Sequence, residues 1–268
     1  MFQIDIDESE LIFGEKFPSF CEISACYYEH RSYLKKETSI YSDTYCKEYV
    51  LAHIKNNPNK NYKVLFHNSD WNSPSVIPEN CIVFSQNVPK EQNENHKVFS
   101  LPIGLENKKW FPELRKTDVL LNHERISPNK LCYCNFDERT NPTVRSKIVE
   151  ELRNSPFTMD LRTNGSNYGN YVKSILEHQF VLSPPGNGID CHRTWECLYL
   201  GRIPIVYDVY KNDLFDGLPV LVIKDTKQLT PHFLERKRDE ILSKSHNFEK
   251  LKLSYWRRKF EEKGNLQC

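Results

Sequence analysis

The sequence predicts an α/β protein with two Rossmann-like domains on parallel sheets, and three observations predict it. The chain has 268 residues, about twice the common domain size. From residue 131 onward, short apolar runs alternate with amphipathic stretches, the mark of parallel βαβ units. The first half carries strand-like runs of the same kind, each closing on polar residues or glycine.

In the first half these runs are YKVLFHN (62–68), CIVFSQN (81–87) and KVFSLPIG (97–104). The polar segment LRKTDVLLNHERISPNK (114–130) reads as a linker, which sets an N-terminal domain at 1–124 and a C-terminal one at 125–245. The second half then offers five strands: LCYCNF (131–136), FTMDLR (157–162), QFVLSP (179–184), IPIVYD (203–208) and PVLVI (219–223). Pro142 suits the first turn of a helix whose Val144, Ile148, Val149 and Leu152 recur at helical spacing, and Gly201 stands where a helix ends. The tail 246–268 predicts a helix with an apolar stripe of Leu253, Trp256 and Phe260, packing back across both domains.

Hydrophobic residues make up 38%, aromatics 12% and charged residues 27%, which excludes a disordered chain, a collagen-like repeat and a coiled coil. With 37 basic against 36 acidic residues, no global field attracts nucleic acid or an anionic membrane. The charge is uneven, however: residues 1–124 hold 14 basic and 18 acidic side chains, residues 125–268 hold 23 and 18, so the second half suits an anionic ligand better. No apolar run reaches the roughly 20 residues of a membrane span, and the opening MFQIDIDESELIF lacks the layout of a signal peptide, so the expectation is a cytoplasmic protein. Nine cysteines, an odd number without a CxxC pair, read as reduced thiols that mostly pack. The sequon Asn164-Gly165-Ser166 is what chance gives.

Chemistry concentrates in FVLSPPGNGIDCHRTWECLYLGRIPIVYD, residues 180–208. A buried strand runs into a Pro-Pro-Gly-Asn-Gly turn, then a helix opening near Asp190, then another buried strand. Open parallel sheets bind ligands at the carboxyl ends of their strands, and the free N–H groups and positive dipole of a helix start favour phosphate. Gly186 and Gly188 remove Cβ atoms where a diphosphate would approach, and Arg193 supplies a permanent cation with a fork of donors. Glu196, at i+3 from Arg193, suits two ribose hydroxyls.

Plainer readings compete. Arg193 and Glu196 are spaced as a surface ion pair of little energetic worth, and Asp190 as a helix N-cap. Cys191 beside His192 does not make a nucleophile and base, because adjacent helix residues point about 100° apart. GNGIDC lacks the third glycine of the dinucleotide fingerprint, and PPGNGIDCHRT lacks a P-loop lysine. Cys191, His192 and Cys197 lack zinc-ligand spacing, and Asp5-Ile6-Asp7 reads as an acidic terminus, not a metal-binding DxD.

The 180–208 segment closely resembles the signature of exostosin-like glycosyltransferases (family 47), especially small bacterial and large-virus members. HNSDW (67–71), FSQNV (84–88), LPIGLENKKW (101–110) and CNFDERTNPTVR (134–145) resemble further stations of that family, so the resemblance spans about residues 62–208. It implies a GT-B architecture, with the nucleotide-sugar donor on the C-terminal domain and a glycan acceptor on the N-terminal one. It implies inverting transfer without an obligatory metal or other cofactor, from a UDP-linked donor with xylose as a candidate sugar. Carried over by residue, it implies that Arg193 meets the diphosphate, Glu196 the ribose, and Pro185, Gly186, Asn187, Gly188 and Asp190, with His192 beside them, the sugar and phosphates. Asn135 and Arg145 complete the phosphate end, and Arg162 borders the nucleobase.

Inverting transfer needs a base for the acceptor hydroxyl and a cation for the leaving diphosphate. Arg193, assisted by Arg145, is the expected cation. Asp70 is the expected base, because HNSD closes a buried strand, with His67 and Glu106, each also at a strand end, as alternatives. The rival class is a non-catalytic nucleotide-sugar or carbohydrate-binding module; a phosphatase or nucleotidase lacks a clear nucleophile or metal cluster.

Overall fold

The computed structural model describes residues 1–25, 38–43, 46–108, 116–124, 126–159 and 168–263. Among these residues, ten strands form two five-stranded sheets whose pairings are parallel. The first holds β1 (Ile23–Ala25), β2 (Ser39–Ser42), β3 (Tyr62–Phe66), β4 (Cys81–Ser85) and β5 (Val98–Ser100) in chain order. The second holds β6 (Lys130–Cys134), β7 (Thr158–Met159), β8 (His178–Leu182), β9 (Ile203–Tyr207) and β10 (Leu221–Ile223) in the order β10-β9-β8-β6-β7.

Runs such as CIVFS and IPIVY form strands because they are rich in β-branched and aromatic residues, and they are apolar on both sides because helices cover both faces of a parallel sheet. The covering helices include α1 (Lys47–Lys55) on the first sheet and α3 (Pro142–Leu152), α4 (Tyr168–Glu177), α5 (His192–Tyr199) and α6 (Pro231–Leu242) on the second. Pro142 takes the first position of α3 and Asn141 caps it by accepting from the Val144 N–H. Gly201 follows α5 with φ +67°, where a Cβ would come 2.0 Å from the Phe2 carbonyl oxygen.

Chain order in the second sheet reverses between β6 and β8, which sit side by side with Cys134 opposite Leu182. That reversal leaves a crevice beyond their carboxyl ends, the usual ligand position of a doubly wound sheet. One apolar cluster runs through the molecule from Leu65 and Phe84 in the first sheet to Tyr133, Val181 and Val206 in the second, with Trp195 of α5 inside it.

The segment expected as a linker is partly helical: α2 (Lys116–Leu121) lies within it, and its buried Leu120 joins the same cluster as Tyr168 and Val172 of α4. Six residues, three polar and then three apolar, carry too short a helical pattern to recognise. In the tail, α7 (Leu253–Glu262) buries Leu253, Trp256 and Phe260, and the Phe260 ring meets Phe84 of β4 at 5.0 Å. The Phe2 backbone N–H reaches the Gly201 carbonyl, so the first residues lie against the second half. Asp7 of the DxD accepts from the backbone and hydroxyl of Ser9 and caps a single 3-10 turn. Of the seven described cysteines, five are buried. Among the described residues, no helix is long and apolar enough to cross a membrane.

Candidate functional site at the switch point of the second sheet

The segment from Ser183 to Cys191 leaves β8 and enters α5 at the crevice. Its first residue is tied to the helix by a 2.9 Å hydroxyl bond between Ser183 and Thr194. The helix begins at His192, two residues later than Asp190, and its N-cap is Cys191, which makes no side-chain cap. No cap side chain therefore serves the first-turn N–H groups, and the Thr194 N–H donates to the Cys191 carbonyl at 3.0 Å.

Arg193 lies in that first turn. Its Nε and Nη1 are buried without a hydrogen-bond partner, and no ion pair joins it to Glu196 among the described residues. Glu196 is buried and accepts instead from the hydroxyls of Tyr168 (3.0 Å) and Tyr171 (2.8 Å) on α4. Burial first, and the Glu196 charge next, hold both phenols far above their ordinary range, so they remain donors. One lone pair on each Glu196 oxygen is thus filled, and the carboxylate is less open than the spacing suggests. A guanidinium with two desolvated, unmatched donors is costly until an anion accepts from it.

Arg145 behaves in the opposite way. It is buried, and its Nε donates to the Pro185 carbonyl (3.0 Å), Nη2 to the Pro184 carbonyl (3.0 Å) and Nη1 to the Asp137 carbonyl (2.8 Å) and the Thr140 hydroxyl. Burial pulls its pKa down, and the Arg193 cation adds to that pull. Arg145 is therefore the brace of the loop and not a free phosphate ligand, which corrects the sequence expectation.

Both glycines are also explained by packing. A Cβ on Gly186 would stand 2.9 Å from Arg145 Nη2, and one on Gly188 would stand 2.7 Å from Asn87 Nδ2. Neither marks open space for a diphosphate. Pro185 is buried, and Asn187, at the tip, is exposed. Asn135 is buried with its amide donating to the Tyr133 hydroxyl at 2.9 Å, so it too faces inward.

Asp190 is neither an N-cap nor a ligand-facing acid. Its carboxylate accepts from the Ile103 N–H (2.8 Å), the Cys191 N–H (2.9 Å) and the Trp195 indole (2.9 Å). Burial pushes its pKa up to about 6 despite those donors. Ile103 belongs to the loop after β5, so Asp190 locks the two halves together. His192 does the same, with Nδ1 donating to the Gly104 carbonyl at 2.8 Å and Nε2 lying 3.4 Å from Glu106 Oε2. Arg162 lies outside the described residues.

The three base candidates separate. His67 is 1% exposed, lies against the Phe17 ring at 4.3 Å and donates from Nε2 to the Pro102 carbonyl. Burial holds its pKa down to about 4, so it is a neutral core histidine closed to an acceptor. Asp70 is exposed on the loop after β3, and Glu106 is half-buried opposite His192.

Sequence reasoning missed Asn87, Gln86, Tyr168 and Tyr171. Asn87, with φ +53°, donates from Nδ2 to the Ser69 carbonyl (2.8 Å) and accepts at Oδ1 from the Asp190 N–H (2.9 Å). One carboxamide thus joins the Asp70 loop to the Arg193 loop. No protein-family model matches the chain, and no curated protein matches it.

Proposed function

We propose that the chain is an inverting glycosyltransferase of the exostosin-like, GT-B kind, moving a sugar from a nucleoside diphosphate, UDP by preference, to a hydroxyl of a glycan acceptor. The observation that carries the reading is Arg193, a cation with two buried and unpartnered donors, in the uncapped first turn of a helix at the switch point of a parallel sheet. The opposite wall is supplied by the first sheet, whose Asp70 and Glu106 loops reach the same crevice through Asn87 and His192.

In this reading the acceptor oxygen attacks the anomeric carbon as the bond from that carbon to the diphosphate oxygen breaks. A carboxylate, Asp70 by preference, takes the hydroxyl proton, and Arg193 with the first-turn N–H groups meets the charge gathering on the diphosphate. Arg145 and Asp190 keep the loop in place for that encounter. Glu196, held by two tyrosines, faces the ribose with its remaining lone pairs.

A thermal-shift screen across UDP, GDP, dTDP and CDP sugars tests the proposal. A ligand at 100 times its Kd stabilises by about 2.7 kcal/mol. One nucleotide series should raise Tm, and none doing so contradicts the reading. Stabilisation without either donor hydrolysis or transfer to an acceptor panel would favour a binding module.

A further inference from the structure

Trp71 is unlike the other described tryptophans. Trp195 and Trp256 are wholly buried, whereas Trp71 is 70% exposed, directly after Asp70 at the carboxyl end of β3. Its surroundings are not those of a loose surface loop. The Trp71 N–H donates to the Ser69 hydroxyl at 2.9 Å. The Ser69 carbonyl accepts from the side-chain amides of both Gln86 and Asn87, and the Ser73 N–H donates to the Asn87 carbonyl at 3.1 Å. Gln86 and Asn87 are themselves buried. The backbone on each side of the indole is therefore fixed to the two residues that follow β4, while the indole projects into solvent.

The same Asn87 accepts from the Asp190 N–H, so one buried carboxamide stands between the Trp71 backbone and the loop that leads into Arg193. The flanking residues are polar and exposed: Asp70 on one side and Asn72 on the other. A flat apolar face bordered by a carboxylate and a carboxamide matches a pyranose, which presents C–H groups on its ring face and hydroxyls along its edge. A partner protein would be served by a broader apolar patch than a single ring.

We propose that Trp71 is the stacking platform of the acceptor subsite, taking the sugar ring of a saccharide acceptor and presenting its hydroxyl beside Asp70. The inference rests on the glycosyltransferase reading with its glycan acceptor, and it adds that one ring of that acceptor is held by stacking on Trp71.

Two measurements test it. Tryptophan emission is followed while methyl glycosides of glucose, galactose, mannose and xylose are titrated, in the wild type and in Trp71→Ala. At least one glycoside should change the emission of the wild type, with the change lost in the variant. In transfer assays, Trp71→Ala should raise the acceptor KM at least tenfold with the donor Kd unchanged, and Trp71→Phe should recover much of the loss. Transfer with an unaltered acceptor KM in Trp71→Ala overturns the platform and leaves glycosyl transfer standing. If the wild type neither binds nucleotide sugars nor transfers, the enzymatic reading falls, and the emission titration alone decides: no glycoside response, or one that survives in Trp71→Ala, overturns the platform.

Discussion

The backbone N–H of Asp190 donates to Asn87 Oδ1 at 2.9 Å, and Gly188 is bare because its Cβ would strike that same carboxamide. Residues 103 positions apart in the chain thus form the seam between the two halves. Removing the amide orphans the Asp190 N–H and loosens the Ser69 carbonyl. Asn87→Gly keeps the left-handed backbone available while deleting the side chain, so it isolates the seam. Its urea midpoint should report a loss of about 1–3 kcal/mol, the cost of unpaired buried groups.

The two arginines should respond in opposite ways. Arg145→Ala strips donors from the carbonyls of Pro184, Pro185 and Asp137, and should destabilise the fold by about 3 kcal/mol or more. Arg193→Ala removes a side chain whose Nε and Nη1 have no partners, so the unliganded fold should change by less than about 1 kcal/mol. Chemical denaturation of both variants checks this. A large loss in Arg193→Ala would give that residue a structural role.

Asp190 and His67 predict compensating pH dependence. Burial raises Asp190 to about 6, above its unfolded value near 4, so its contribution is present at low pH and is lost as pH rises through about 6. Burial lowers His67 to about 4, below its unfolded value near 6.5, so its contribution is present above 6.5 and is lost as pH falls through about 4. Between pH 4 and 6 the two slopes oppose each other. Asp190→Asn should therefore make the protein more acid-sensitive than the wild type, and His67→Gln less so. Parallel stability curves from pH 4 to 7 would refute the assignment.

The choice of base is open to kinetics. Asp70→Asn should leave donor affinity intact while turnover falls by roughly 10²–10⁴, the usual worth of a general base. Glu106→Gln, which weakens only the 3.4 Å contact to His192, should cost much less. The reverse ranking in steady-state assays transfers the role to Glu106.

The second sheet was legible because its strands are apolar runs punctuated by Pro142, Gly201 and the Pro184–Gly188 turn, all local signals. The first half was legible only for β3, β4 and β5; β1 and β2 have three and four residues, too few for a period to emerge. The same local pattern put Arg193 in the first turn of the helix that follows β8, where the structure has it. Side-chain roles did not follow, since they depend on partners distant in sequence: Arg145 against Gly186, Asn87 against Gly188, and the two tyrosines against Glu196. A spacing rule sees Arg193 and Glu196 as a pair, whereas packing gives the glutamate to α4. Only the FSQNV run hinted at Asn87.

Isothermal titration of UDP into wild type and Arg193→Ala tests the central claim most directly. Loss of a charge-assisted hydrogen bond of about 1.5–3 kcal/mol predicts a Kd weakened by roughly 10- to 150-fold, with Arg193→Lys in between. Equal affinity in the wild type and the alanine variant would contradict the assignment of the leaving diphosphate to the first turn of α5.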